Sequence, residues 1–219
     1  MSIILYEDNH VIAVVKPVGL LSQGDKTGDP NMLDEVKKYL KEKYKKPGNV
    51  FVGLLHRLDR PVSGIMLFAK TSKGASRLSE QFRNREIEKT YHAVVVGKLT
   101  AQKGVLKNTL GKDIKLKKGG EYVDGIEANL YYEVVQTNGK YSLLKVRIDG
   151  GQFHQIRTQL SLAGLPILGD VKYKGEKWES EKSIALCATG IFFHCATNPE
   201  KVILSIDIPK AWKAYLSTV

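Results

Sequence analysis

The chain has 219 residues, 42% of them hydrophobic, enough to bury a full core as one domain over residues 1–219. Its 34 lysines and arginines against 23 aspartates and glutamates leave a net charge of +11, which favours a polyanionic partner, nucleic acid ahead of an acidic membrane surface. Two cysteines exclude a disulfide-stapled secreted scaffold. The opening Met-Ser-Ile-Ile-Leu-Tyr-Glu-Asp carries no basic leader, and no segment reaches membrane-spanning length, so a cytoplasmic protein is expected.

Ile3 to Tyr6 and Val11 to Val15 predict short strands around the Glu7-Asp8-Asn9-His10 turn, with Lys16-Pro17 closing the second. A polar loop follows over residues 19–30. Asn31 predicts a helix cap, with Asp34 and Glu35 in the first turn and Leu33, Val36 and Leu40 on one face. Val50 to Leu55 and Ile65 to Ala69 predict strands on either side of a charged stretch, and Thr71 or Ser72 caps a second helix with Ala75, Leu78 and Phe82 at helical spacing. Tyr91 to Val96 predicts a further strand.

Between Lys98 and Asp124 the chain is rich in lysine and glycine. Val105 to Thr109 and Ile114 to Leu116 predict a projecting hairpin there, either a mobile loop or an electrostatic clamp on a phosphate backbone. Asn129 to Val135 and Tyr141 to Ile148 predict a hairpin around Asn138-Gly139. Gly150-Gly151 then opens a helix with Ile156, Leu160 and Ala163 on one face and His154, Arg157 and Ser161 on another. Ile184 to Phe193 and Val202 to Ile208 close the sheet, and Trp212 to Leu216 predicts a short terminal helix. Many hairpins and few βαβ units imply an α+β fold, a mostly antiparallel mixed sheet flanked by helices and loops.

Three clusters carry candidate chemistry. His56-Arg57-Leu58-Asp59-Arg60 packs four ionisable side chains between apolar segments, with Pro61 and Gly64 as punctuation. An arginine beside a carboxylate favours its charged form, so Asp59 reads either as half of a structural ion pair or as a reactive group. Gly150-Gly151-Gln152-Phe153-His154-Gln155-Ile156-Arg157 places glycines before a helix, whose first amides attract anions. Arg157 there either faces solvent or reaches inward to a carboxylate, for which Asp59 is the one buried candidate. Lys89-Thr90-Tyr91 opens a strand, and its tyrosine is either core or a platform for a base. Cys187, His194 and Cys195 lack paired-ligand spacing, and no metal is expected.

His56-Arg57-Leu58-Asp59 with Ser63-Gly64, Lys89-Thr90-Tyr91-His92-Ala93, and Gly151-Gln152-Phe153-His154-Gln155-Ile156-Arg157 with Gly169-Asp170 and Tyr173 occur in that order. Together they resemble the RluA-type pseudouridine synthases, and Lys16-Pro17-Val18-Gly19-Leu20 resembles that family's N-terminal element. The resemblance runs from Ile3 to Pro209. It implies the pseudouridine synthase fold and an enzyme that isomerises uridine to pseudouridine in structured RNA, rRNA or tRNA, without cofactor or metal. It implies that Asp59 is the catalytic aspartate, Tyr91 the tyrosine that stacks on the base, and Arg157 the basic residue paired to that aspartate. Arg57 is implied to help extrude the base, and His154 and Gln155 to line the substrate side. Val62 and Cys187 depart from the family pattern, which usually has Thr and a Leu-His-Ala element at those places.

Because the resemblance begins at the catalytic domain, no separate N-terminal RNA-binding module is expected, and a monomer is the default. Two other readings stand beside it. One is a non-catalytic RNA-binding or RNA-chaperone protein on the same scaffold. The other is a glycoside- or phosphodiester-cleaving enzyme, for which no second carboxylate or metal cluster is apparent. His56 has no role in any of them.

Overall fold

A computed structural model describes residues 3–178 and 183–217. In chain order its elements are β1 (Ile4–Glu7), β2 (Val11–Lys16), α1 (Met32–Lys43), β3 (Gly53–Leu54), β4 (Ser63–Ala69), α2 (Ser72–Arg83), β5 (Glu88–Val96) and β6 (Lys103–Asp113). They continue with β7 (Lys118–Glu121), β8 (Ile126–Thr137), β9 (Tyr141–Ile148), α3 (Gln155–Leu162), β10 (Leu186–His194), β11 (Lys201–Ser205) and α4 (Lys213–Leu216). The fold is α+β with a mixed, mostly antiparallel sheet. The chain divides into two compact units, Met1–Glu88 with Gly190–Ile206, and Lys89–Thr189 with Asp207–Val219.

In the first unit β2 pairs antiparallel with β1 on one side and with β4 on the other, from Val11↔Ala69 to Lys16↔Gly64. Alternation along these strands sends Val11, Ala13, Ile65 and Leu67 to one face, where they join Leu78 of α2 and Ile191 and Phe193 of β10 in a buried cluster. Ile12, Val14, Met66 and Phe68 alternate with them and are buried as well, which is why both strands read as unbroken apolar runs. Both helices start where their caps dictate. Asn31 accepts the Asp34 amide at 3.0 Å, and Thr71 accepts the Gly74 amide at 3.0 Å.

In the second unit the strand order is β5-β9-β8-β6-β7. Gly139, at φ 92°, makes the β8–β9 turn that the Asn-Gly pair predicts. Three expectations need correction here. Ile114 to Leu116 is not a strand: β6 runs on to Asp113 and pairs with β7, and those residues form the turn between them. The helix expected to open at Gly150-Gly151 begins only at Gln155, after His154 in a left-handed conformation (φ 54°). Its polar face is also missing, because every residue from Gln155 to Leu160 is buried. The cause is packing on several sides, since α3 meets β6, β7 and β8 and a 3-10 turn at Val171–Tyr173. Its glutamines serve the sheet, Gln159 donating to the Leu106 and Ala128 carbonyls at 3.0 Å each.

Candidate functional site

Asp59 lies in the loop between β3 and β4, half-buried, and its two chain neighbours are each held. On one side, Ser22 Oγ donates to the Leu58 carbonyl at 2.6 Å and accepts the Leu58 amide at 3.0 Å. On the other, the Arg60 carbonyl accepts the Gly19 amide at 2.9 Å and Lys16 Nζ at 3.3 Å. Arg60 in turn donates to the Gly19 carbonyl at 3.0 Å and to Asp29 at 2.8 Å. The Val62 amide donates to the Asp59 carbonyl at 3.0 Å and closes a turn over Arg60-Pro61. The carboxylate therefore projects from a backbone fixed on both flanks.

Lys16, which the sequence places in the family's N-terminal element without a role, gains one here. It closes the buried strand β2, is fully buried, and donates to three carbonyls, those of Pro17, Leu20 and Arg60. Burial lowers its pKa to about 8; the negative charge of Asp59 opposes that and the positive charge of Arg60 adds to it. The signal was a lysine continuing an apolar strand directly into a proline. His56 also gains a role: its Nε2 accepts the Leu67 amide at 3.0 Å, and its ring packs on Phe82 with centroids 5.3 Å apart. Arg57 is exposed. Val62, one of the two departures, is buried core.

The second unit holds the remaining candidates. Tyr91 is buried on β5, opposite Val146 of β9. Two residues earlier on the same strand, Lys89 donates to the Gly150 carbonyl at 3.0 Å, and burial lowers its pKa to about 8. Arg157, 5% exposed, grips Asp170 with two bonds, Nε to Oδ2 at 2.7 Å and Nη2 to Oδ1 at 2.8 Å. Its guanidinium lies over the Tyr173 ring, 4.9 Å from the centroid. Asp59 is therefore not the one carboxylate that the sequence offers Arg157. Asp170, 1% exposed, is another, and it lies thirteen residues along the chain.

The Tyr173 hydroxyl accepts the Gly119 amide at 2.6 Å and shares a 2.8 Å bond with His154 Nδ1. His154 stacks on Phe153 with centroids 3.8 Å apart. Gln155 is buried, and its side-chain amide is engaged internally: it donates to the Asn129 carbonyl and to Gln159, and accepts the Gln152 amide. Among the described residues no group of three or more His, Cys, Asp or Glu could hold a metal ion. Cys187 and Cys195 are both buried.

The sequence model of the RNA pseudouridylate synthase family matches residues 10–162, a span that includes Asp59, Tyr91 and Arg157. The fold is also that of solved relatives: human RNA pseudouridylate synthase domain containing 4 superposes with a TM-score of 0.79 at 22% identity, over 96% of this chain and 90% of that one. YhcT, an uncharacterised RNA pseudouridine synthase of Bacillus subtilis (strain 168), is 31% identical over 181 residues, 78% of this chain. Ribosomal large subunit pseudouridine synthase C of Rickettsia prowazekii (strain Madrid E) is 32% identical over 211 residues, 94% of this chain and 68% of its own. The chain belongs to the RNA pseudouridylate synthase family, and its relatives place it with the RluA type. It spans 57% of the length of the Bacillus relative.

Proposed function

We propose that the protein is an RNA pseudouridine synthase that isomerises uridine in structured RNA. The observation that carries this reading is the family match over residues 10–162, which takes in all three residues assigned to the chemistry. In the reaction the bond between the sugar and the first ring nitrogen breaks, the uracil turns, and its fifth ring carbon bonds to the sugar. The proton on that carbon is lost and the ring nitrogen gains one, so atoms balance without an oxidant or a second substrate.

Asp59 is assigned the central role, as nucleophile at the anomeric carbon or as base toward the sugar. Supporting it is the loop itself. Ser22 and Lys16 fix the residues on either side, and a carboxylate held in place reorganises little as the reaction proceeds. Tyr91 is assigned to the base and Arg157 to the charge balance of the site. Exposed Arg57 is assigned to the vacancy left by the extruded nucleotide, which offsets an unstacking cost of a few kcal/mol.

The relatives named as large-subunit ribosomal synthases make large-subunit rRNA the first substrate to try, with tRNA second. The test is tritium release from transcripts labelled at the fifth carbon of uracil. Release is expected from wild type, and Asp59→Asn should abolish it while RNA binding persists. No release across a panel of rRNA and tRNA would sink the reading. Free uracil or cleaved RNA as product would replace it with a hydrolase.

A further inference from the structure

The β6–β7 hairpin is not used by the chemistry above, yet it is built onto the helix that carries Arg157. Gly119 donates its amide to the Tyr173 hydroxyl at 2.6 Å, and Lys172 Nζ donates to the Lys117 carbonyl at 2.6 Å. A Cβ at residue 119 would lie 2.5 Å from Thr158 Oγ1 of α3, so glycine is what lets the strand approach so closely. Lys112 Nζ sits 4.6 Å from the Phe153 ring centroid and Lys118 Nζ 5.1 Å from that of Tyr173. The base of the hairpin is thus tied to α3 and to the Val171–Tyr173 turn.

Its tip has a different character. Ile114 is 80% exposed and Leu116 67%, alternating with exposed Lys115 and Lys117, with exposed Lys112 just before them. The two acidic groups of the hairpin are engaged locally. Asp113 accepts the Leu116 amide at 2.8 Å, which shapes the turn, and Glu121 accepts from Asn108 at 3.0 Å. Two aliphatic side chains at the end of a lysine-bearing arm stay mostly in solvent, so core packing does not explain their placement.

We infer that this tip is a docking surface for structured RNA: Lys112, Lys115 and Lys117 contact backbone phosphates while Ile114 and Leu116 pack on nucleosides of a loop or bulge. The inference rests on the proposed RNA-modifying function for its choice of polyanion. Lysines supply binding without sequence preference, and apolar side chains that wedge against bases supply selection for RNA whose stacking is already interrupted. A basic arm with aliphatic ends also suits an anionic bilayer, but the connection to the helix bearing Arg157 favours the substrate of that site.

Two variants separate the terms, Ile114→Ser/Leu116→Ser and Lys112→Gln/Lys115→Gln/Lys117→Gln, each checked for a wild-type circular dichroism melt. The probe is large-subunit rRNA transcribed in vitro, with vesicles of phosphatidylserine and phosphatidylcholine in parallel. The lysine variant should lower the slope of log affinity against log salt by about 2. The aliphatic variant should weaken RNA binding about tenfold with the slope unchanged. In tritium release, both should raise KM and leave kcat at saturating RNA near wild type. Wild-type affinity and slope in both variants would overturn the inference, as would vesicle binding that RNA does not displace. If wild type modifies no uridine but the variants lose RNA affinity as stated, the docking surface stands and the proposed reaction falls. If modification proceeds with KM unchanged in both variants, the reverse holds.

Discussion

Lys16 Nζ donates to the carbonyl of Arg60 at 3.3 Å, joining a fully buried amine to the residue that follows Asp59. Burial of that amine ties stability to pH, because its charged form is disfavoured in the folded state. Its folded pKa of about 8 lies below its ordinary 10.5, chiefly through burial. The unfolded chain therefore holds more protons between those two values, and stability rises with pH across that window. The size is on the order of 3 kcal/mol. The difference in urea unfolding free energy between wild type and Lys16→Met should grow as pH is raised from below 8 to above 10.5. A difference that stays flat would remove the buried charge as its cause.

Glu7 shows the opposite sign. Burial works to raise its pKa, but hydrogen bonds from Lys43, Lys70 and Tyr44 overcome that and hold it at about 2 against an ordinary 4.5. These bonds, at 2.7, 2.6 and 2.6 Å, link the end of β1 to α1 and to Lys70 after β4. A depressed folded pKa gives stability that is present in full above 4.5 and is lost as pH falls through 2. Glu7→Gln should cost about 1 to 2 kcal/mol near neutrality, allowing for screening of the exposed Lys43, and should flatten acid unfolding over that range.

The Arg157–Asp170 pair predicts strong non-additivity. Both side chains are buried and joined by two bonds, so deleting either one breaks a bidentate charged pair away from solvent. Asp170→Ala should destabilise by about 3 to 5 kcal/mol, whereas Asp170→Leu with Arg157→Met should recover much of that loss. Equal and additive losses in urea titrations would mean the two groups act independently.

What the sequence made legible follows from how local each cause is. The caps at Asn31 and Thr71, the Asn138-Gly139 turn and the apolar strands β2 and β4 depend on residues a few positions apart, and they appear as read. The Gly150-Gly151 pair suggests an N-terminus for α3, while the chain first passes through left-handed His154 stacked on Phe153. The β-branched and aliphatic side chains of Ile114 to Leu116 favour a strand, but the Asp113 side chain accepts the Leu116 amide and turns the backbone there. The site was legible as motifs and not as bonds. Nothing in the spacing says that Asp170 takes Arg157, that Ser22 clamps Leu58, or that His56 serves the Leu67 amide, since each partner is 11 to 36 residues away.

Ser22 offers the sharpest link from that hidden layer to function. Its hydroxyl both donates to the Leu58 carbonyl and accepts the Leu58 amide, so it fixes the peptide units on each side of the residue before Asp59. Ser22→Ala removes both bonds, leaves buried backbone groups unmet and lets the Asp59 carboxylate wander. The stability loss should be about 1 to 3 kcal/mol. Because displacement of a reacting group by about 1 Å can cost about a hundredfold in rate, kcat for tritium release should fall by about tenfold or more. KM should change little, since Ser22 is buried and distant in role from RNA contact. Ser22→Thr keeps the hydroxyl and should restore most of kcat if its extra methyl is accommodated. A variant that loses stability but keeps wild-type kcat would show that the clamp supports only the fold and that Asp59 is positioned without it.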